Sequence, residues 1–272
     1  MQHSATRHPY SVRPRFAECG WLNAGCFFTI GAMLEAGIGG VVALAGAAGA
    51  ISYGAVSPRS QLFGRTFVAA GAGSRQLALT FDDGPNDPHT LRLLEVLAKH
   101  GVKATFFMIG RFIRERPEIA RAVAQAGHVI GNHTYTHPNL FFATGSQLAR
   151  ELDDCERTLA DAVGEHSKLF RPPWGFRRPG TLRAAARRGL TTVMWSVTGY
   201  DWKLPRPEAI ERRVARQVRG GDVILLHDGG HRHMGVDRAP TVAATERLIA
   251  RYKSEGYSFV TVSEMMRESN KQ

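Results

Sequence analysis

Cysteine is scarce in this 272-residue chain: Cys19, Cys26 and Cys155 are the whole set. Three widely spaced thiols exclude a disulfide framework and match no zinc-finger spacing. No G-x-G-x-x-G turn follows the first strand-like run, so a dinucleotide fold has no support. Acidic excess is missing too: 35 Lys and Arg against 24 Asp and Glu leave a formal charge of +11. That balance suits an anionic neighbour such as a membrane surface or an acidic polymer. The arginines are spread out, as in Arg111, Arg114, Arg116, Arg121 and Arg212, Arg213, Arg216, Arg219, the pattern of solvated helix faces. No nucleic-acid motif occurs, and neither nucleic acid nor an obligate protein partner is expected. Hydrophobic content of 43% with 22% charged residues is ordinary for a globular protein, and the length suits one large domain with an extension.

Charge is absent from Ala36–Val56, and from Cys19 to Val56 only Glu35 carries any. An uncharged run of that length can cross a bilayer as a helix, and its glycines and alanines (Gly37, Gly39, Gly40, Ala43, Gly46, Ala47, Ala48) suit close helix contacts in lipid. The run starts late and is long for a signal peptide. No apolar run precedes Cys26, which argues against lipidation. The expected organisation is a basic, polar segment over residues 1–35, disordered at its start, a single membrane-spanning helix over 36–56, a linker over 57–75 and a folded domain over 76–268. Arg7, Arg13 and Arg15 before the helix against Arg59 and Arg65 after it place the N-terminus inside and the domain outside, periplasmic or extracellular, by a slight bias.

Within the domain, apolar and β-branched runs alternate with amphipathic ones. Strands are expected at Leu77–Phe81, Ala104–Ile109, His128–Gly131, Lys168–Phe170, Thr191–Val197, Asp222–Leu226 and Ser258–Val262. Stripes such as Leu148, Leu152, Cys155, Leu159 and Val163 mark the helices between them. About seven βα units imply an α/β fold with a parallel sheet, and uneven helix lengths favour an irregular barrel.

The unusual polar residues sit just past strand ends: Asp82 and Asp83, His133 and His137, Arg171, Asp201, and His227 with Asp228. In a parallel α/β fold those ends gather at one face, where active sites are built. Two adjacent acids need a cation close by to stay charged in one cleft. His133 and His137, four apart in His-Thr-Tyr-Thr-His, can meet on one face of a helical turn; with a carboxylate they form a two-His, one-Asp site for a catalytic divalent metal. Zinc is the default, and Fe, Co, Ni or Mn suit the same donors. Arg171, in Arg-Pro-Pro-Trp-Gly, can form a bidentate pair with a carboxylate, and Trp174 offers a flat surface for a sugar ring or acyl group. His227 follows three aliphatics and suits general acid–base work.

Five pieces in this order (Thr80-Phe81-Asp82-Asp83-Gly84-Pro85, His133 to His137, Arg171 to Gly175, Asp201-Trp202, and Leu225-Leu226-His227-Asp228) resemble the polysaccharide deacetylases of the NodB-homology type, carbohydrate esterase family 4. The resemblance covers about residues 76–265. It implies a distorted (β/α) barrel and metal-dependent removal of N-acetyl groups from amino sugars, with an acetylated glycan as partner. It implies Asp82 as general base held by Arg171, Asp83, His133 and His137 as metal ligands, His227 as general acid, and Trp202 and Leu225 lining the acetyl pocket. One departure stands out: Thr198 occupies the position three before Asp201 where the family often has an acid tuning the catalytic histidine, so either Asp201 or Asp228 takes that part or the pKa of His227 is less raised. The same apparatus also serves O-acetyl esters, as on xylan, and a glycan-binding module without chemistry is the reading from a different class.

Overall fold

The computed structural model describes residues 42–270. Eight strands form one parallel sheet: β1 (Gln76–Gly84), β2 (Thr105–Met108), β3 (Val129–Asn132), β4 (Leu169–Phe170), β5 (Thr191–Thr192), β6 (Val197–Thr198), β7 (Asp222–His227) and β8 (Ser258–Phe259). The order is β5-β4-β3-β2-β1-β7-β6, with β8 added to the start of β1. The sheet curls into a half-barrel that stays open between β5 and β6, so the parallel α/β expectation holds while the barrel does not close. Besides the helix over 42–56, the helices are α1 (His89–Lys99), α2 (Gly110–Glu115), α3 (Pro117–Gln125), α4 (Gly145–Val163), α5 (Pro179–Ala186), α6 (Pro207–Ala215), α7 (Ala239–Ser254) and α8 (Val262–Ser269).

The two faces of β1 follow from the alternation of side chains along a strand. Leu77, Leu79 and Phe81 point outward and pack with Leu93, Leu97, Leu248 and Ile249 beneath the helices. Ala78, on the opposite face, joins Phe107, Val193 and Val223 inside the curl, where Val262 and Met265 of α8 close one end. That C-terminal helix carries a Thr261–Glu264 capping box and was not anticipated from the sequence. Pro117 opens α3 in its first turn, where its missing N–H costs nothing, and separates it from α2. The run Thr191–Val197, expected as one strand, breaks into β5 and β6.

Residues 57–75, expected as a linker, are tied to the domain. Phe67 bridges to Val193 in parallel and Ala69 to Asp222 in antiparallel fashion, adding backbone pairing at the open side of the curl. Of the expected membrane-spanning run 36–56, residues 42–56 are helical and residues 36–41 lie outside the described residues, as do Cys19 and Cys26. Among the described residues no helix is long and apolar enough to cross a membrane.

Candidate active site

β1 runs on through Asp82 and Asp83 instead of stopping before them. A regular strand would send the two carboxylates to opposite faces. Here the register against β2 slips between Asp82 and Gly84, and Asp83 takes a left-handed backbone (φ 73°). The irregularity turns both acids toward one cavity of about 450 Å³, which they line with His133, His137, Trp174 and His227. Thr134, His137, Trp174 and Tyr200 are the other non-glycine residues with left-handed backbone among the described residues, and all lie at or beside this cleft. Each such residue costs about 1–3 kcal/mol, so the strain is concentrated where the reactive side chains are aimed.

His133 and His137 do not share a helical turn. They flank a loop after β3, and the loop is held from α4: Glu151 accepts from the backbone N–H groups of Tyr135 and Thr136 at 2.9 and 2.8 Å. Asn132 Oδ1 accepts from Thr134 N at 2.8 Å. His133 donates its Nδ1–H to the Arg171 carbonyl at 2.8 Å, which leaves a bare lone pair on Nε2. That Nε2 faces Asp83 Oδ1 at 3.4 Å, and His137 Nε2 faces the same oxygen at 3.2 Å. The three donor atoms lie within 4.8 Å of one another, all buried, and Asp83 Oδ1 has no hydrogen-bond partner. A buried carboxylate oxygen set against an imidazole lone pair is unfavourable unless a cation joins them. The donor set therefore fits a divalent ion. Burial works to raise the Asp83 pKa, and it is a proton or a cation shared with the two imidazoles that holds the carboxyl well below its usual range. Burial pushes His137 down to about 4, keeping it neutral and able to ligate.

Asp82 meets Arg171 differently from the expected bidentate fork. Arg171 Nη1 donates to Asp82 Oδ1 at 2.7 Å and also to Thr80 Oγ1 at 2.8 Å. Its other nitrogens are taken by the carbonyls of Met194 and Val193, at 3.0 and 3.3 Å. The fully buried guanidinium lies 4.2 Å over the Phe107 ring. Four of its five N–H donors are bonded inside the curl, so the pair to Asp82 is single but fixed.

Across the cavity, His227 ends β7. Asp201 is its partner: Oδ1 accepts from His227 Nδ1 at 2.9 Å, while Oδ2 accepts from the His227 backbone N–H at 2.7 Å and from Thr241 Oγ1 at 2.9 Å. Burial alone lowers the imidazole pKa; Asp201, with smaller help from Asp83 and Asp82, reverses this and raises it to about 9. Asp228 makes no hydrogen bond to the His227 ring. It accepts from Thr90 Oγ1 at 2.5 Å, and a Cβ on Gly84 would overlap its carboxylate. Burial raises its pKa to about 7. Thr198 serves Gln217, whose Nε2 donates to the Thr198 carbonyl at 2.9 Å.

Leu225 is buried in the cavity wall, and Trp174 and Trp202 stand half-exposed at its mouth. Trp174 sets its edge on His137 (centroids 4.4 Å apart), and Trp202 does the same to His227 (4.9 Å). Sequence reasoning did not single out His231, whose ring stacks on His137 at 4.9 Å, nor Arg238, buried with Nε on the Gly229 carbonyl at 2.7 Å. The histidine-rich run from His227 to His233 was the signal available for the first.

A curled parallel half-barrel with an Asp-His-His donor set between an arginine-held aspartate and an aspartate-held histidine defines a class, that of hydrolases built around a divalent metal. The polysaccharide deacetylase family profile matches residues 70–193. A peptidoglycan-N-acetylglucosamine deacetylase of Bacillus cereus is 38% identical over 193 residues, covering 70% of this chain and 88% of that protein. A chitooligosaccharide deacetylase of Sinorhizobium fredii is 39% identical over 199 residues, covering 71% and 93%. The crystal structure of a mutant of a family 4 carbohydrate esterase pseudoenzyme, with restored enzymatic activity, superposes with a TM-score of 0.69 at 30% identity, covering 74% of this chain and 71% of that one. The chain belongs to the polysaccharide deacetylase family, carbohydrate esterase family 4.

Proposed function

We propose that the protein is a metal-dependent hydrolase that removes N-acetyl groups from amino-sugar glycans of the peptidoglycan or chitooligosaccharide kind. A family that includes a pseudoenzyme does not by itself grant activity. The observation that carries the reading is the convergence, on one cavity, of the donors of Asp83, His133 and His137 with the Asp82–Arg171 and His227–Asp201 pairs on either side. Asp83, His133 and His137 would hold a divalent ion, zinc by default, which when bound would supply Lewis acidity for the acetyl carbonyl and the attacking water. Asp82, held by Arg171, accepts the proton that the water loses. His227 carries a proton on Nε2 while Nδ1–H faces Asp201, and delivers it to the sugar nitrogen as the C–N bond breaks. Acetate and the free amine result. Leu225 and Trp202 offer the apolar wall for the acetyl methyl, and Trp174 a face for the sugar ring.

Acetate release from N-acetylated chito-oligosaccharides and from peptidoglycan, with and without chelator, tests the assignment. Activity that chelator abolishes and metal restores is expected. Binding without turnover supports a glycan-binding module, and turnover confined to acetylated xylan supports an O-acetyl esterase. Asp82→Asn and His227→Ala are each expected to cut turnover by about 100-fold or more with metal still bound.

For the N-terminal run, the proposal is a single-pass anchor with the domain periplasmic or extracellular. Its support is the uncharged stretch 36–56, the helix over 42–56, and the exposed Val42, Leu44, Ile51, Tyr53 and Val56. Spanning requires residues 36–41 to continue that helix. Release of the full chain from membranes by alkaline carbonate overturns this placement.

A further inference from the structure

Arg177 is a buried cation with no carboxylate partner among the described residues. Only 1% exposed, it spends its donors on backbone carbonyls. Nη2 donates to Ser57 O at 2.7 Å and to Ser60 O at 2.8 Å, and Nη1 donates to Gly175 O at 3.2 Å. Its own backbone N–H donates to Ala55 O at 3.2 Å. Burial lowers its pKa, and the one group opposing this is the Tyr53 hydroxyl. Leaving a guanidinium out of water without a counter-ion is costly, and a hydrogen-bonded carbonyl cage is what makes it tolerable. The cage is built from two separate pieces of chain, the turn after the N-terminal helix and the loop that carries Trp174.

Both pieces are tight. Gly175 has φ 73°, and a Cβ there would fall 2.6 Å from Trp195 Cη2. Trp174 itself is held at φ 52° inside the short turn Pro173–Gly175. On the other side, Ser57 N donates to Tyr53 O at 2.9 Å and Ser60 N to Ser57 O at 3.0 Å, so the two acceptor carbonyls are presented by a folded turn. Arg59 Nη2 further ties that turn to Ser196 O at 3.1 Å. The family profile begins only at residue 70, so this support comes from chain outside the matched region.

We propose that Arg177 is a positioning residue through which residues 55–60 set the geometry of Trp174, making the turn below the N-terminal helix a structural part of the substrate cleft. Its effect on catalysis rests on the reading that Trp174 meets the sugar. Its effect on Trp174 does not, and the two are measured separately.

The experiment uses the full chain and Arg177→Met, each compared with its Trp174→Phe counterpart so that Trp174 emission is isolated by difference. Acrylamide quenching of Trp174 is expected to rise roughly twofold or more, and trypsin cleavage after Arg59 and Arg65 to speed up about tenfold, since several hydrogen bonds to a charged group are lost together. KM for N-acetylated oligosaccharide rises severalfold with kcat nearly unchanged, and metal affinity by chelator competition stays put because no ligand has moved. Altered quenching with unaltered KM supports the coupling and counts against sugar stacking on Trp174. Wild-type quenching in Arg177→Met overturns the coupling. Should that variant not fold, Arg177→Gln, too short to reach Ser57 and Ser60 together, takes its place with the same two outcomes.

Discussion

Two imidazoles face each other across one cleft and are driven in opposite directions. His137 and His227 are both withdrawn from water, and each has a tryptophan edge-on at 4.4 and 4.9 Å. Burial lowers His137 to about 4, and its Nδ1 has no hydrogen-bond partner. Burial also opposes charge on His227, yet the Asp201 carboxylate against its Nδ1 lifts it to about 9. The difference is one carboxylate and where it sits. Asp83 meets His137 at Nε2, the nitrogen aimed into the cavity, whereas Asp201 meets His227 at Nδ1, behind the ring. A partner in front makes a ligand, and a partner behind makes an acid.

The strongest way to break this contrast is to remove the front partner. Asp83→Ala leaves His133 and His137 with no shared anion. Loss of a metal worth several kcal/mol to the reaction is expected to cost about 1000-fold or more in turnover. Metal content by elemental analysis should fall with it. A variant that kept full metal and lost only rate would show that Asp83 is not a ligand.

Removing the rear partner should act on pH. A histidine whose pKa is raised on folding adds stability and proton-donating power that is full below its ordinary value near 6.5 and is lost as pH rises through about 9. A dication seated beside Asp83 works against that elevation, so the basic limb of kcat/KM in the loaded enzyme lies at or below 9. Asp201→Asn keeps an acceptor for Nδ1–H but not the charge. Burial then dominates, the limb moves below 6.5, and turnover at pH 8 falls by about 100-fold. An unmoved limb would take the acid role away from His227.

The donors were legible in the sequence because their chemistry is rare: an Asp pair, two histidines four apart, and an arginine between apolar and proline-rich stretches each stand out from solvated surface. Their arrangement was less so. Both acids reach one cavity only because Asp83 leaves the strand register, and the two histidines beside Asp83 come from a loop held by Glu151 rather than from a helical turn. Neither is a matter of period or propensity; both depend on contacts between residues far apart in the chain. The same holds for Thr80 and Phe107, which fix Arg171, and for His231 behind His137. At the level of the fold, the parallel alternation was readable from the apolar runs. The tie between residues 57–75 and the sheet was not, because two isolated bridges and the carbonyls around Arg177 have no side-chain signature.

The smallest expected effect sharpens the contrast most finely. Trp202 stacks on Tyr200 at 4.7 Å and puts its edge to His227, the proposed acid. Trp202 is also half-exposed at the mouth, on the wall proposed for the acetyl methyl. An aromatic contact of this sort is worth about 0.5–1.5 kcal/mol, so Trp202→Ala should cost roughly 2- to 12-fold in kcat/KM. Two consequences separate the roles. If Trp202 serves only the acetyl wall, KM rises and the basic limb stays where it is. If it also shields His227, water reaches the ring, the pull of Asp201 is screened and the limb moves down with kcat. Trp174→Ala, made on the ligand side, should leave that limb unmoved because His137 is neutral across the working range. A limb that shifted equally in both variants would mean that the two sides of the cleft titrate as one unit, and the division between ligand and acid would no longer hold.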